Sequence, residues 1–332
     1  MTDSIKIYLL LLIGFLLITC PIIIINYVHD PYAIFTKVVD KNTLISKNYR
    51  YSFPNIAKKM FFKTAIIGTS DSLPYHQKNT KKLLNGPLFN FAIEGATNYE
   101  QSLLVENILD NKPKTLIIWQ INWLSFLWKR DHSRIGKEFP LYLYKKDNFN
   151  LYLKSLLNPF HAFKSVFYKK KDFMIAVSDI KSWNEESENK NFTKEFNNRK
   201  SVFFDFIHNN QNIRDFDKKE LNKQFDLYIE DLVKNFPMSK FIIVLPPFHD
   251  MFLNAIKIEK PRLYNQFVHF NIRVIRLAKE FKNVELVNFY KKCNFAKRDE
   301  IYKDLFHFKN KFAKFFIQEI VKIKLILFSI IE

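Results

Sequence analysis

The sequence predicts an α/β protein in which helices cover both faces of a central parallel sheet, behind one N-terminal transmembrane helix. Short, continuously apolar runs alternate with amphipathic stretches over most of the chain, and this alternation is typical of parallel strands buried on both faces. In addition, residues 7–27 form an apolar run without a charge. The body is therefore predicted to be a three-layer α/β sandwich.

Five compact apolar runs are the candidate strands. They are residues 64–68, 88–93, 115–121, 240–245 and 284–289. Amphipathic stretches near residues 100–109, 221–235, 263–281 and 310–326 supply the helices. The predicted division is an anchor at 1–28, a connector at 29–59, and an α/β domain at 60–332 with a cap-like insertion at about 125–217.

The apolar run 7–27 is long enough to cross a membrane. At 1.5 Å per residue, about 20 residues span roughly 30 Å, the thickness of a bilayer core. A cleaved signal peptide has a shorter apolar run followed by a small-x-small site, and this run shows neither feature. Lysines on both sides leave the orientation open by charge. The short N-terminal flank favours a body on the extracytoplasmic side of the inner, or cytoplasmic, membrane.

Composition limits the classes of partner. Among 332 residues, 52 Lys and Arg oppose 33 Asp and Glu, a net charge of +19. The lysines are scattered, and the wealth of Lys, Phe, Ile and Asn resembles the codon usage of an AT-rich genome, so no nucleic-acid partner is predicted. A basic surface equally suits anionic envelope components. Two Cys exclude a disulfide scaffold and a multi-Cys zinc site, and neither a metal nor another cofactor is expected.

Residues with catalytic chemistry follow the candidate strands. Ser70 comes after the first strand, Gly95 after the second and Asn122 after the third, while Asp304 and His307 precede the last helix. Parallel sheets bind ligands beyond the carboxyl ends of their strands. A serine hydroxyl becomes a nucleophile when a base removes its proton, histidine suits that role near neutral pH, and a carboxylate fixes the histidine tautomer.

A developing oxyanion needs preorganised donors near such a serine. The candidates are the backbone N–H groups of Ser70 and Gly95 and the side-chain amide of Asn122. His249, after the fourth strand, and Asn98 are weaker candidates for contacts with substrate, and a plain loop is the alternative for His249. Simpler structural roles exist for the others as well: a Gly-x-Ser run often forms a turn, and Asp304 could cap the last helix.

Four sequence blocks, in order, resemble those of the SGNH (GDSL-like) hydrolase family. The first block, G-D-S, corresponds to Gly68-Thr69-Ser70. The second, N-x-G-x-x-G-x-T, corresponds to residues 90–97, with Ala92 in place of the first glycine. The Asp30-Pro31-Tyr32 segment after the anchor is similar to one found in membrane-anchored envelope members of the family.

The third and fifth blocks complete the resemblance. The third, G-x-N-D, keeps Asn122 but has Gln120 and Trp123 at its ends, and the fifth, D-x-x-H, is residues 304–307. The family fold is a flavodoxin-like sandwich, and its members are mostly esterases, lipases and O-acyltransferases. The resemblance implies that Ser70 is the nucleophile, His307 the base and Asp304 its orienting carboxylate.

The resulting hypothesis is a membrane-anchored serine esterase or O-acyltransferase that forms an acyl-enzyme on Ser70. The expected substrate is an acylated envelope glycan or an acyl carrier. The bilayer contacts the protein through residues 7–27, and a membrane-bound acyltransferase is a possible partner. The alternative is a non-catalytic envelope assembly factor on a degenerate SGNH fold, an alternative that Gln120 and Trp123 motivate.

Overall fold

The computed structural model describes most of the chain. The described residues are 3–30, 34–35, 49–75, 87–145, 153, 155–159, 162, 192–209, 217–292, 301–302, 307–308 and 312–329. They form two compact units, residues 1–60 with 140–179 and residues 61–139 with 180–332. The predicted division into anchor, connector and α/β domain stays a prediction.

The first unit contains the long apolar helix α1, Asp3–His29, followed by α2, Tyr49–Lys59, and the short α4, Leu141–Tyr144. Most apolar side chains of α1 are exposed. Its 27 residues, at 1.5 Å each, extend about 40 Å, so α1 is long and apolar enough to be a membrane anchor or a signal sequence.

The second unit contains a five-stranded parallel sheet flanked by helices, which confirms the predicted fold class. The strands are β1 Thr64–Ile67, β2 Leu88–Asn90, β3 Leu116–Gln120, β4 Lys240–Leu245 and β5 Val284–Asn288. The helices are α3 Asn98–Asn111, α5 Phe192–Asn209, α6 Lys218–Phe225, α7 Asp231–Asn235, α8 Asp250–Glu259, α9 Pro261–Glu280, α10 Phe289–Lys292 and α11 Ala313–Ser329. One π-helical turn, Asp226–Glu230, joins α6 to α7.

The strand order is 2-1-3-4-5, the flavodoxin-like order. Central strands β1 and β3 are buried at every position, which accounts for their unbroken apolar runs. In register, Ile66 lies beside Ile118, and Ile118 lies beside Ile242. Because the chain order reverses between β1 and β3, their carboxyl ends form the crevice where ligands bind in this topology.

Candidate active site

The carboxyl end of β1 turns sharply at a glycine. A Cβ atom on Gly68 would lie 2.0 Å from Ser72 Oγ and 3.2 Å from the carbonyl oxygen of Gln120, so a side chain at this position cannot be accommodated without movement. The chain then enters a 3₁₀ turn, Ser70–Ser72, that places Ser70 half-buried at the switch point. Glycine at position 68 therefore allows the strand end and the turn to lie close together.

Asn90 at the end of β2 fixes that turn. Its Nδ2 donates hydrogen bonds to the carbonyl oxygens of Ser72, at 2.9 Å, and Tyr75, at 3.3 Å. Its Oδ1 accepts from the backbone N–H of Ala92 at 2.9 Å. The asparagine that opens the second sequence block thus holds the serine turn against the neighbouring strand.

Ser70 and His307 meet across 237 residues of chain. Ser70 Oγ lies 2.8 Å from His307 Nε2. This distance is within the range of a nucleophile paired with its general base, and an unprotonated Nε2 would accept the hydroxyl proton. The His307 side chain is 20% exposed, so the pair is partly shielded while remaining open to a small molecule.

Asp71 is a member of the site that sequence reasoning did not single out. Its side chain is 2% exposed, and Oδ1 lies 3.6 Å from His307 Nε2. Its other oxygen accepts a hydrogen bond of 2.7 Å from Asn122 Nδ2. The His307 separation is longer than a normal hydrogen bond, but a buried carboxylate at this range stabilises a protonated imidazole electrostatically. Its position directly after the candidate nucleophile was the available sequence signal.

Asn122 lies two residues after β3, where its side chain caps the 3₁₀ helix Trp123–Leu127. Its Oδ1 accepts from the Leu124 N–H at 2.9 Å, while Nδ2 donates to Asp71. A side-chain amide has two N–H donors, and Asp71 occupies one of them. The oxyanion role predicted for Asn122 can use only the other donor, and it stays a prediction.

Gly95 lies in the loop between β2 and α3 with φ at +61°, a left-handed conformation that glycine adopts without strain. The loop ends in a capping box, because the Thr97 hydroxyl accepts from the Glu100 N–H and the Glu100 carboxylate accepts from the Thr97 N–H. Gly95 therefore follows β2 at the same end of the sheet as Ser70, and its oxyanion role stays a prediction.

Both departures from the third sequence block are buried. Trp123 is 1% exposed, and its ring packs edge-on against Phe248 and Phe267, with centroids 6.1 and 5.7 Å away. Gln120 is also 1% exposed, and its side-chain oxygen and nitrogen have no hydrogen-bond partner among the described residues. These two positions contribute to the interior rather than to the surface around Ser70.

A cavity of about 410 Å³ opens beside Ser70. Its polar side includes Ser70, Asp71, Gly95, Asn122, Arg134 and His307, and its apolar side includes Leu124, Leu127, Trp128, Val202, Phe203 and Phe206. Cavities of this size and mixed character bind small molecules. Part of this lining comes from the segment predicted as a cap-like insertion, namely Trp128, Arg134 and the residues of α5. That segment has no clear periodicity, so the sequence did not indicate a role for these residues.

Two weaker predicted residues, His249 and Asn98, lie outside the cavity. His249 and Asn98 are each 3% exposed and are not among the lining residues of the cavity. His249 Nδ1 accepts from the Met251 N–H at 3.1 Å, and Asn98 Nδ2 donates to Gln224 Oε1 at 3.0 Å.

Asp304 lies outside the described residues, as do Pro31 and Tyr32. Over the part of the chain that is described, no cluster of three or more His, Cys, Asp or Glu is arranged to hold a metal ion.

Comparison with known proteins identifies no family. No family model matches the chain, and no curated protein matches it. A solved structure described as that of "a putative platelet activating factor from Streptococcus pneumonia" aligns with a TM-score of 0.41 and 12% identity, over 84% of this chain and 92% of that chain. A likeness this distant assigns neither a family nor an activity.

Proposed function

We propose that this protein is a membrane-anchored, SGNH-like serine esterase or O-acyltransferase. The observation that carries the proposal is the 2.8 Å contact between Ser70 Oγ and His307 Nε2, beside a cavity at the switch point of the sheet. A hydroxyl, a base and a nearby buried carboxylate are the groups that nucleophilic acyl transfer requires.

In the proposed reaction, Ser70 Oγ attacks an ester carbonyl while His307 Nε2 takes the hydroxyl proton. The N–H groups of Ser70 and Gly95 and the second N–H of Asn122 stabilise the oxyanion of the tetrahedral intermediate. The carbon–oxygen bond to the leaving alcohol then breaks, and His307 gives that alcohol its proton. Water or an acceptor hydroxyl next attacks the acyl-enzyme, loses its proton to His307, and releases Ser70 with its proton restored.

Two carboxylates support the base in this scheme. Asp304 orients the ring, as the sequence resemblance implies. Asp71, 3.6 Å from Nε2, stabilises the imidazolium that forms in each half-reaction. The apolar side of the cavity receives the acyl group, because apolar surface there would otherwise remain in contact with water.

The N-terminal helix favours an anchored enzyme over a secreted one. Asn26, in the last turns of α1, is 2% exposed, and its Nδ2 donates to the carbonyl oxygens of Ser155, Leu156 and Asn158 at 3.2, 2.8 and 3.0 Å. Removal of α1 as a signal peptide would leave those carbonyls without this donor. From the short N-terminal flank of the helix, we propose that the body lies on the extracytoplasmic side of the cytoplasmic membrane. The proposed substrate is an acylated envelope glycan or an acyl carrier, and a membrane-bound acyltransferase is a candidate partner.

The test is covalent labelling of the full-length protein in detergent with a fluorophosphonate probe, which reacts with activated serines. Wild-type protein should label, and Ser70→Ala should not, whereas Ser201→Ala, which removes an exposed serine of α5, should label normally. His307→Ala should slow labelling strongly, because the hydroxyl loses its base. Labelling that persists in Ser70→Ala would overturn the nucleophile assignment.

The alternative, a non-catalytic envelope assembly factor, predicts different results in these experiments. One donor of Asn122 is occupied by Asp71, and the third sequence block is incomplete, so a degenerate site is the competing interpretation. Wild-type protein that fails to label, with full envelope function retained by both Ser70→Ala and His307→Ala in cells, would establish an assembly role instead of catalysis.

A further inference from the structure

The segment that carries Arg134 is held in place by a buried carboxylate. Glu100 is fully buried, and its Oε1 accepts from Ser133 Oγ at 2.6 Å and from the Arg134 backbone N–H at 3.0 Å. Thr97 Oγ1 donates to the carbonyl oxygen of His132 at 2.8 Å. Because Thr97 and Glu100 also cap α3, the backbone at Arg134 is attached to the rigid start of a helix.

The guanidinium group of Arg134 lies near an aromatic ring and near a glycine. Its Cζ is 5.6 Å from the centroid of the Trp128 ring. A Cβ atom built on Gly95 would lie 3.2 Å from Nη1 and 3.3 Å from Cζ, so the absence of a side chain at Gly95 makes room for the group. Arg134 therefore lines the same cavity as Ser70, next to a predicted oxyanion donor.

The charge of Arg134 has no ion-pair partner among the residues that the structure describes. Over the described parts of the chain, no carboxylate forms an ion pair with its side chain, and Glu100 contacts its backbone N–H rather than its guanidinium. Asp71, which also lines the cavity, accepts from Asn122. A planar guanidinium near an aromatic ring, with no described carboxylate paired to it, is suited to bind a carboxylate or phosphate through two parallel hydrogen bonds.

We propose that Arg134 is a specificity residue that binds an anionic oxygen group, carboxylate or phosphate, of a substrate whose ester lies at Ser70. This inference rests on the proposed function and narrows its substrate class to anionic esters. It agrees with the basic character of the whole chain, which attracts anionic partners.

The first experiment compares two aryl esters with the same leaving group, the hemisuccinate, which carries a free carboxylate, and its neutral methyl ester. Full-length wild-type protein is measured with Arg134→Gln, Arg134→Lys and the control Arg130→Gln, which removes an exposed arginine of the same segment. We expect Arg134→Gln to lower kcat/KM for the anionic ester about 10- to 100-fold, through KM, since charge-assisted hydrogen bonds are lost. The neutral ester should change less than about threefold, and Arg134→Lys should be intermediate.

Either of two outcomes overturns the inference. An equal fall for both esters would mean that Arg134 stabilises the oxyanion or the fold, and no change for either ester would mean that it contacts no substrate group. A second measurement, calorimetric binding of inorganic phosphate and of succinate, needs no turnover. Binding that Arg134→Gln abolishes in a protein without esterase activity would refute the proposed function and retain the anion site. Preference for phosphate or for succinate identifies which group the site takes.

Discussion

One histidine lies at the carboxyl end of β4 and another lies beside a residue that follows β1, and the two have different environments. They are His249 and His307. After β4, the chain continues through Pro246, Pro247 and Phe248 to His249, all buried, and the His249 ring caps α8. After β1, Ser70 faces a cavity, and His307 reaches it from the far end of the sequence. The histidine that directly precedes a helix accepts a hydrogen bond from a backbone N–H of that helix, whereas the histidine from a distant segment contacts a serine side chain.

The largest expected effect comes from substitution of the Ser70–His307 pair after β1. Ser70→Ala and His307→Ala should each lower kcat for ester hydrolysis roughly ten-thousand- to million-fold, and the double variant should be no worse than either, because the two groups act as one unit. His249→Ala, the matched change at β4, should keep kcat within a fewfold of wild type. Steady-state kinetics of the full-length protein measure this, and a large loss in His249→Ala would contradict the contrast.

A smaller effect is expected at Asp71. Asp71→Asn keeps the shape and can still accept from Asn122, but it removes the negative charge near Nε2. We expect kcat to fall about 10²- to 10³-fold with KM little changed, since preorganised electrostatic stabilisation of a transition state has this magnitude. Asp131→Asn, at a largely exposed carboxylate, is the control. Equal activity of Asp71→Asn and wild type would show that the carboxylate does not assist the base.

Two glycines offer a matched pair for the loop beside the cavity. Gly95 and Gly136 have φ of +61° and +58°, so alanine at either position should destabilise the fold by about 1–2 kcal/mol. Only at Gly95 would the new Cβ meet another group, the guanidinium of Arg134. Urea unfolding should therefore show similar losses of stability, while esterase activity falls in Gly95→Ala alone. Equal activity of the two variants would show that Gly95 does not contribute to catalysis.

The smallest effect is expected at His249, the N-cap residue of α8. His249→Ala removes the acceptor for the Met251 N–H and should lower the free energy of unfolding by about 0.5–2 kcal/mol. His249→Asn supplies another capping acceptor and should recover most of that loss. Chemical denaturation of the two variants tests this, and identical midpoints would argue that packing of the ring against Tyr302 matters more than the hydrogen bond.

Much of the sheet follows from local pattern. The runs that predict β1, β3 and β4 are apolar nearly throughout, because these inner strands are buried on both faces, whereas the edge strands β2 and β5 include half-buried polar residues. Helices α3 and α9 follow from amphipathic periodicity, and the capping box at Thr97 marks where α3 begins. Helix α2 was missed within the predicted connector. It contains Pro54 and buries six consecutive residues, 52–57, two of them polar, so its pattern does not resemble an amphipathic helix.

The site was only partly predictable. Ser70 and His307, which the structure places 2.8 Å apart, were singled out because a serine after a strand end and an Asp-x-x-His segment before the last helix match two blocks of the resemblance. Asp71 was not, because the direction of its side chain depends on the 3₁₀ turn and on Asn122 rather than on any period. Arg134 was not, because its position depends on a hydrogen bond from its backbone to Glu100, 34 residues earlier, which no local pattern records.

The carboxylate of Glu100 serves two elements at once, the first turn of α3 and the segment of Ser133 and Arg134. In a diverging lineage, loss of this one residue would loosen both elements together, so neither could be remodelled alone. Replacement of Arg134 itself leaves that anchoring untouched, because its backbone makes the bond. Evolution can therefore exchange the side chain that lines the cavity while the backbone beneath it stays constant, which makes position 134 a natural place for related proteins to vary.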